Sequence, residues 1–259
     1  MPELRLRPRT VSELVDAAFA LYRQNSTQYI LVSALANVPL LIVQLVLQPT
    51  NPATLLAAGF TVLFTLSLAS IVTFAIMGAA VVRLGSEAYL GGEPDLARTL
   101  RVVIPRVPAL IVANVLLAML LSIGFLLLFV GAIYVAARYF AVSIVIVLEG
   151  KGPVAAFSRA SSLSRDRKWH VFKTMLLVFL IYFILSIGVS AFATLTGSSV
   201  IQLVASTLFT IVAYPVIALT QMMLYYDCRI RNEGFDLEQM AATLDAGSAA
   251  LATGGAAQQ

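Results

Sequence analysis

Charge is the scarcest commodity in this chain. Acidic and basic residues together make up 12% of its 259 residues, while 60% are hydrophobic. Soluble domains carry roughly a quarter of their residues as charges. A soluble protein of this length has too few polar groups here to cover its surface. Cysteine is nearly absent: Cys228 stands alone, which excludes an intramolecular disulfide. Histidine is represented only by His170, so a centre built from paired histidines is excluded. The chain also lacks a Gly-x-x-x-x-Gly-Lys phosphate loop, a His-Glu-x-x-His metal motif and a Gly-x-Ser-x-Gly nucleophile elbow. No apolar segment directly follows the basic start MPELRLRPRTVSELV, so a cleaved signal peptide is not expected.

Long uncharged runs take the place of charge. They cover residues 24–82, 107–137, 139–148 and 174–226. A bilayer crossing takes about 20 mostly apolar residues. The runs therefore predict an all-α, polytopic integral membrane protein of about six spans, at 29–48, 55–82, 107–129, 132–148, 171–195 and 200–225. PTNP at 49–52 and TGSS at 196–199 read as the turns of the first and last hairpins. In the middle hairpin Gly124 and Gly131 are the expected turn positions. Residues 1–240 form one helical membrane domain, and the Ala- and Gly-rich tail 241–259 is expected to be disordered.

Basic residues cluster in the connections that six spans leave on one side. They run from Arg5, Arg7, Arg9 and Arg23 through the loops 83–106 and 149–173 to Arg229 and Arg231. The excess of Lys and Arg on cytoplasmic loops puts both termini in the cytoplasm, and a bacterial plasma membrane is the simplest location. Arg138 is the one exception, set by this arrangement within two turns of the outer end of its span. Two roles are open for it: a structural arginine bonding span-end carbonyls, or a contact to an anion or lipid head group.

Short surface helices are expected before each hairpin. At 10–24, Thr10 and Glu13 make a capping box, and Val11, Leu14, Val15, Ala18, Phe19 and Tyr22 form a stripe for a helix lying along the membrane face. At 93–108, Pro94 suits a first turn, and Leu96, Leu100, Val103 and Ile104 share a face. At 152–172 the stripe is Val154 and Phe157. Surface helix plus hairpin thus recurs three times, at residues 10–82, 93–148 and 152–225.

Charge returns abruptly in MMLYYDCRIRNEGFD, residues 222–236. Tyr225 and Tyr226 suit a membrane interface, Arg229 and Arg231 suit anionic head groups, and Asp227 and Glu233 suit arginines of the inner loops. A stop-and-anchor signal and a specific lipid or partner site are both open readings. Trp169 and His170 read as anchors at a span entrance.

YYDCRIRNEGFDLEQM at 225–240 resembles the end of the glycerophosphoryl diester phosphodiesterase membrane domain family. Residues 6–25, LRPRTVSELVDAAFALYRQN, and 147–172, VLEGKGPVAAFSRASSLSRDRKWHVF, are similar to other parts of that family. Cys228 departs from it, standing where an aliphatic residue is more usual. The resemblance implies a six-helix bacterial membrane protein. It implies no phosphodiesterase activity, because that chemistry belongs to a separate catalytic domain needing paired histidines and a metal.

The functional expectation is a non-enzymatic scaffold, assembly or regulatory subunit engaging anionic lipid or a membrane protein partner. The alternative is a transporter or lipid-handling protein for a small anionic or amphiphilic substrate. Candidate lipid or partner contacts are Arg138, Glu149, Arg159, Trp169, Asp227, Arg229 and Arg231. The polar span residues available to a substrate path are Asn37, Gln44, Asn114, Gln202 and Gln221. No catalytic residue, cofactor, metal or nucleic-acid partner is expected.

Overall fold

The computed structural model describes residues 7–46, 52–126 and 130–235. Among these residues there are ten α-helices, one 3-10 turn and no strand. The helices are α1 Val11–Gln24, α2 Ser26–Val46, α3 Pro52–Tyr89, α4 Leu96–Val103, α5 Val107–Leu126, α6 Val130–Arg138, α7 Val142–Glu149, α8 Pro153–Ser164, α9 Lys168–Thr194 and α10 Ser199–Glu233. Six stretches are long and apolar enough to cross a membrane: Ser26–Val46, Thr61–Tyr89, Leu96–Leu126, Val130–Glu149, Lys168–Thr194 and Ser199–Glu233. The chain is thus an all-α, multi-pass membrane protein. The order short helix then hairpin occurs three times, with α1, α4 and α8 as the short members.

Several helices overrun their apolar limits. Expected to end at 82, α3 continues to Tyr89, and α10 continues past 225 to Glu233. At 1.5 Å per residue α10 is about 52 Å long, against about 30 Å of hydrocarbon. Packing holds these polar extensions in place. Ser86 and Tyr226 share a 2.6 Å hydrogen bond, and the two rings of Tyr89 and Tyr226 lie 5.2 Å apart. Gly234, in the left-handed region, closes α10 by donating its N–H to the Ile230 carbonyl. The expected span ends at 48 and 129, most of the PTNP turn and the tail 241–259 lie outside the described residues.

The expected span 132–148 is not one helix. It breaks at Tyr139–Phe140–Ala141 into α6 and α7. A break of this kind leaves no mark on hydropathy, because both halves are apolar. Val142, Ile144, Val145, Ile146 and Val147 of α7 are all at most 2% exposed, so α7 is enclosed on every side. Gly150 caps it in the left-handed region, and Arg106 donates to the carbonyls of Ile146 and Val147. Those are the terminal carbonyls of α7 that α-helix geometry leaves unpaired.

Gly124 and Gly131 lie inside α5 and α6 rather than in a turn. They let the two backbones touch. A Cβ on Gly124 would sit 2.7 Å from the Ala132 nitrogen, and one on Gly131 would sit 2.7 Å from the Gly124 oxygen. The intervening residues 127–129 are not described.

The core gathers at the end of the bundle that holds α1, α4 and α8, here called the collar end. It draws on the lower half of α3, all of α7 and residues 211–230 of α10. Toward the opposite end large apolar side chains face outward, including Val46, Leu126, Phe192 and Leu195. Such a band suits lipid contact.

The three collar helices bury most of their expected stripes, with one stripe residue of each turned outward. Thr10 and Glu13 form the foreseen capping box, and Arg7 lies 2.6 Å from Glu13. Bonding to the Thr10 backbone, then to Arg7, holds the Glu13 carboxyl at about 2, below its usual 4.5. The buried residues of α1 are Leu14, Val15, Ala18 and Leu21, with Phe19 turned outward. They pack against α10 and α9, so α1 is part of the protein core rather than a helix resting on the membrane face alone. In α4, Asp95 rather than Pro94 opens the helix, accepting from the Ala97 and Arg98 amides, and Ile104 is exposed. In α8, Val154 is exposed and the buried face is Ala156, Ala160, Leu163 and Ser164. Short helices that cover both lipid and protein present two apolar faces, and sequence alone does not rank them.

Candidate functional site

Two ion-pair clusters and one cation pair occupy the collar end, and two cavities lie above them. The first cluster centres on Glu149, the last residue of α7. Its Oε1 accepts from the Tyr225 hydroxyl at 2.8 Å and from Arg159 Nε at 3.0 Å. Lys151 Nζ lies 2.8 Å from Oε2. Arg159 spends its remaining nitrogens on Glu233, Nη1 in close contact and Nη2 at 2.9 Å. Glu233, then Glu149, hold the Arg159 guanidinium above its usual value, so it stays charged. Arg229 Nε reaches the same Glu233 at 3.2 Å and stands 4.0 Å from the Phe235 ring centroid. The cluster ties α7, α8 and α10 together.

The second cluster centres on Asp227, which is 2% exposed. Its Oδ1 accepts the Arg9 backbone N–H at 2.7 Å, and its Oδ2 accepts from Arg231 Nε at 2.8 Å. Arg231 Nη2 in turn donates to the Arg9 carbonyl at 2.7 Å. His170 Nε2 lies 3.2 Å from Asp227 Oδ2. This cluster fastens the residue before the α1 cap to α9 and α10.

These contacts correct several expectations for residues 222–236. Tyr225 and Tyr226 are core residues, at most 4% exposed, rather than interfacial rings. Arg229 and Arg231 meet acids of their own helix, Glu233 and Asp227. Glu233 does meet an arginine of an inner loop, Arg159, whereas Asp227 meets Arg231 and the Arg9 backbone. Cys228 is buried. Trp169 is 73% exposed and packs edge-on against Phe172, with ring centroids 5.7 Å apart.

Arg138 is not near the outer end. Its Nε donates to Ser161 of α8 at 3.0 Å and its Nη1 to the Tyr134 hydroxyl at 2.6 Å. Ser164 donates to its backbone carbonyl at 2.8 Å. The break after α6 brings Arg138 to the junction of α8 and α9, with the other basic residues. The carbonyl-bonding role open to Arg138 is filled by Arg106. Arg138 and Lys168 both approach Tyr134, at 5.7 Å and 4.8 Å from its ring centroid.

Above the clusters a cavity of about 430 Å³ opens between α3, α5, α7 and α10. A second, of about 180 Å³, lies between α2, α3 and α10 and shares Ser70 and Phe74 with the first. Asn114 and Gln221 line the larger, Asn37 and Gln44 the smaller. Gln202 lines neither. Tyr214 rises against Gly78, where a Cβ would lie 3.0 Å from its hydroxyl, and its ring packs on Phe74 at 5.4 Å. No charged side chain among the described residues lines either cavity.

Sequence reasoning singled out four of the amides but not Tyr214 or Ser143, which join Gln221 in the larger cavity. It also missed Arg9, Lys168 and His170 as partners. Their contacts span 218, 34 and 57 positions of chain, and no local pattern encodes such pairings. No family model, curated protein or solved structure matches this chain.

Proposed function

We propose that this protein is a non-enzymatic lipid-handling or transport protein of a bacterial plasma membrane, which holds an uncharged amphiphile inside its bundle. One observation carries the reading. Gln221, Tyr214 and Ser143 line the larger cavity, and the side chain of none makes a hydrogen bond to another described residue. Polar groups within a membrane protein are costly unless paired. Three unspent groups around one space therefore suit a ligand or water that bonds to them. The uncharged lining favours a neutral molecule with hydroxyl or carbonyl groups over the anion considered from sequence. The basic collar supports an orientation with the collar end in the cytoplasm. The resemblance carried by residues 225–240 supports a multi-span membrane protein.

The test is native mass spectrometry on the protein extracted in its own membrane patch. A retained neutral molecule that disappears in Gln221→Leu and Ser143→Ala supports the proposal. Identical retention in all three proteins overturns it.

Scaffolding is the second reading, favoured by Arg98, Arg101 and Arg165. These are exposed at the collar end and have no acidic partner among the described residues. A stoichiometric protein partner in the same spectrum, with nothing retained in the cavity, would make this the better reading.

A further inference from the structure

Arg138 and Lys168 form a pair that no carboxylate among the described residues neutralises. The arginine ends α6 and the lysine begins α9, and the two converge on Tyr134. Arg138 also stands 5.6 Å from the Tyr139 ring centroid. Its hydrogen bonds go to neutral hydroxyls, those of Ser161 and Tyr134. Neither cation has a carboxylate within 4.0 Å among the described residues. Every other arginine discussed as bridging helices at this end is spent on an acid or a carbonyl: Arg106, Arg159, Arg229 and Arg231.

Two cations held against one ring repel each other. Cation–π contact at an exposed site returns less than a good counter-ion supplies. The start of α9 adds to the imbalance. Arg167 precedes it without a side-chain cap, so amide N–H groups and basic side chains face the same region. Tyr134 is 43% exposed, so the site is open. Arg offers a planar fork and Lys a point charge, the combination that grips a phosphate.

We infer that this junction of α6, α8 and α9 is a binding site for one phosphate ester, bridged by Arg138 and Lys168 with the Tyr134 and Ser161 hydroxyls beside it. The site is separate from the cavities. Phe140, two residues on, lines the larger cavity, while Arg138 faces α8 and α9. The inference therefore stands whether or not the cavity holds an amphiphile.

Phosphate of this kind comes from a phospholipid head group or from a soluble phosphate ester. The full chain in detergent micelles is titrated separately with phosphatidylglycerol, phosphatidylcholine, glycerol phosphate and inorganic phosphate, and bound species are counted by native mass spectrometry. One tightly bound phosphate species per chain is expected. Arg138→Gln and Lys168→Gln should each weaken it about tenfold or more, since a charge-assisted bond is worth about 1.5–3 kcal/mol. Arg101→Gln, which removes an exposed charge elsewhere on the collar, should leave it unchanged. Binding of phosphatidylglycerol without competition from the soluble esters assigns a lipid head group. Binding or competition by glycerol phosphate assigns a soluble ester. Absence of any bound phosphate species, or equal weakening by all three substitutions, overturns the inference. If Arg138→Gln fails to fold, Lys168→Gln carries the test, because Lys168 reaches Tyr134 but ties down no carboxylate among the described residues.

Discussion

Tyr225 donates its hydroxyl hydrogen to Glu149 across 76 positions of chain, at 2.8 Å, onto the same oxygen that Arg159 holds. The three side chains form one unit, so their contributions should not add. Tyr225→Phe removes a bond to a charged group and should cost about 1.5–3 kcal/mol. Glu149→Gln should cost at least as much, because it leaves Arg159 and Lys151 facing a neutral amide. The double substitution should fall short of the sum of the two by about 0.5 kcal/mol or more. Thermal unfolding in detergent of all four proteins measures this; strict additivity would show that the contacts act independently.

A second expectation concerns helix approach. An added methyl at Gly124 meets backbone, while one at Gly85 meets the flexible ends of Leu219 and Met222. The clash at Gly85 is nominally shorter, 2.3 Å against 2.7 Å. Backbone cannot step aside as a side chain can, so Gly124→Ala should destabilise more, by about 1–3 kcal/mol. Melting temperatures in the same detergent decide it, and a larger loss for Gly85→Ala would count against the α5–α6 contact.

Acid should loosen α1 in a defined window. The Glu13 carboxyl titrates at about 2 in the folded protein and near 4.5 otherwise. Its contribution to the capping box is complete above 4.5 and is lost as pH falls toward 2. Amide hydrogen exchange across α1 should accelerate through that window. In Glu13→Gln the acceleration attributable to this group should vanish; an unchanged profile would assign it to other carboxylates.

Orientation is open to direct labelling. Cys228 is buried and should stay silent toward a membrane-impermeant maleimide. Ala97→Cys, at the collar, should react only from the cytoplasmic side, and Ser199→Cys, at the far turn, only from outside. Labelling of both from one side would refute the six-crossing topology, and exchange of the two sides would refute the orientation.

The sequence announces the slab-crossing elements and the ends that carry local chemistry. Thr10 and Glu13 mark the start of α1, and Pro153 marks the start of α8. Faces are harder to read, because a side chain that meets lipid is as apolar as one that meets protein. Phe19, Ile104 and Val154 look like core residues and face outward. The break at residues 139–141 is equally hidden, and with it the place of Arg138. Among the candidate contacts, Glu149, Arg159, Asp227, Arg229 and Arg231 do gather at one end, but mainly to satisfy one another. Arg138 and Lys168 meet no carboxylate among the described residues, and only the fold brings those two together.

The Arg9 amide waits for a carboxylate 218 residues later in the chain. Synthesis delivers the first helix long before the last, so α1 has no Asp227 to dock on until α10 has been inserted. Arg159 likewise reaches Glu149 early and Glu233 late. The collar therefore closes as the final act of biogenesis. A chain stopped before α10 leaves the Arg9 amide without Asp227 and Arg159 without Glu233, so the collar contacts of α1 and α8 stay incomplete until the last helix is in place.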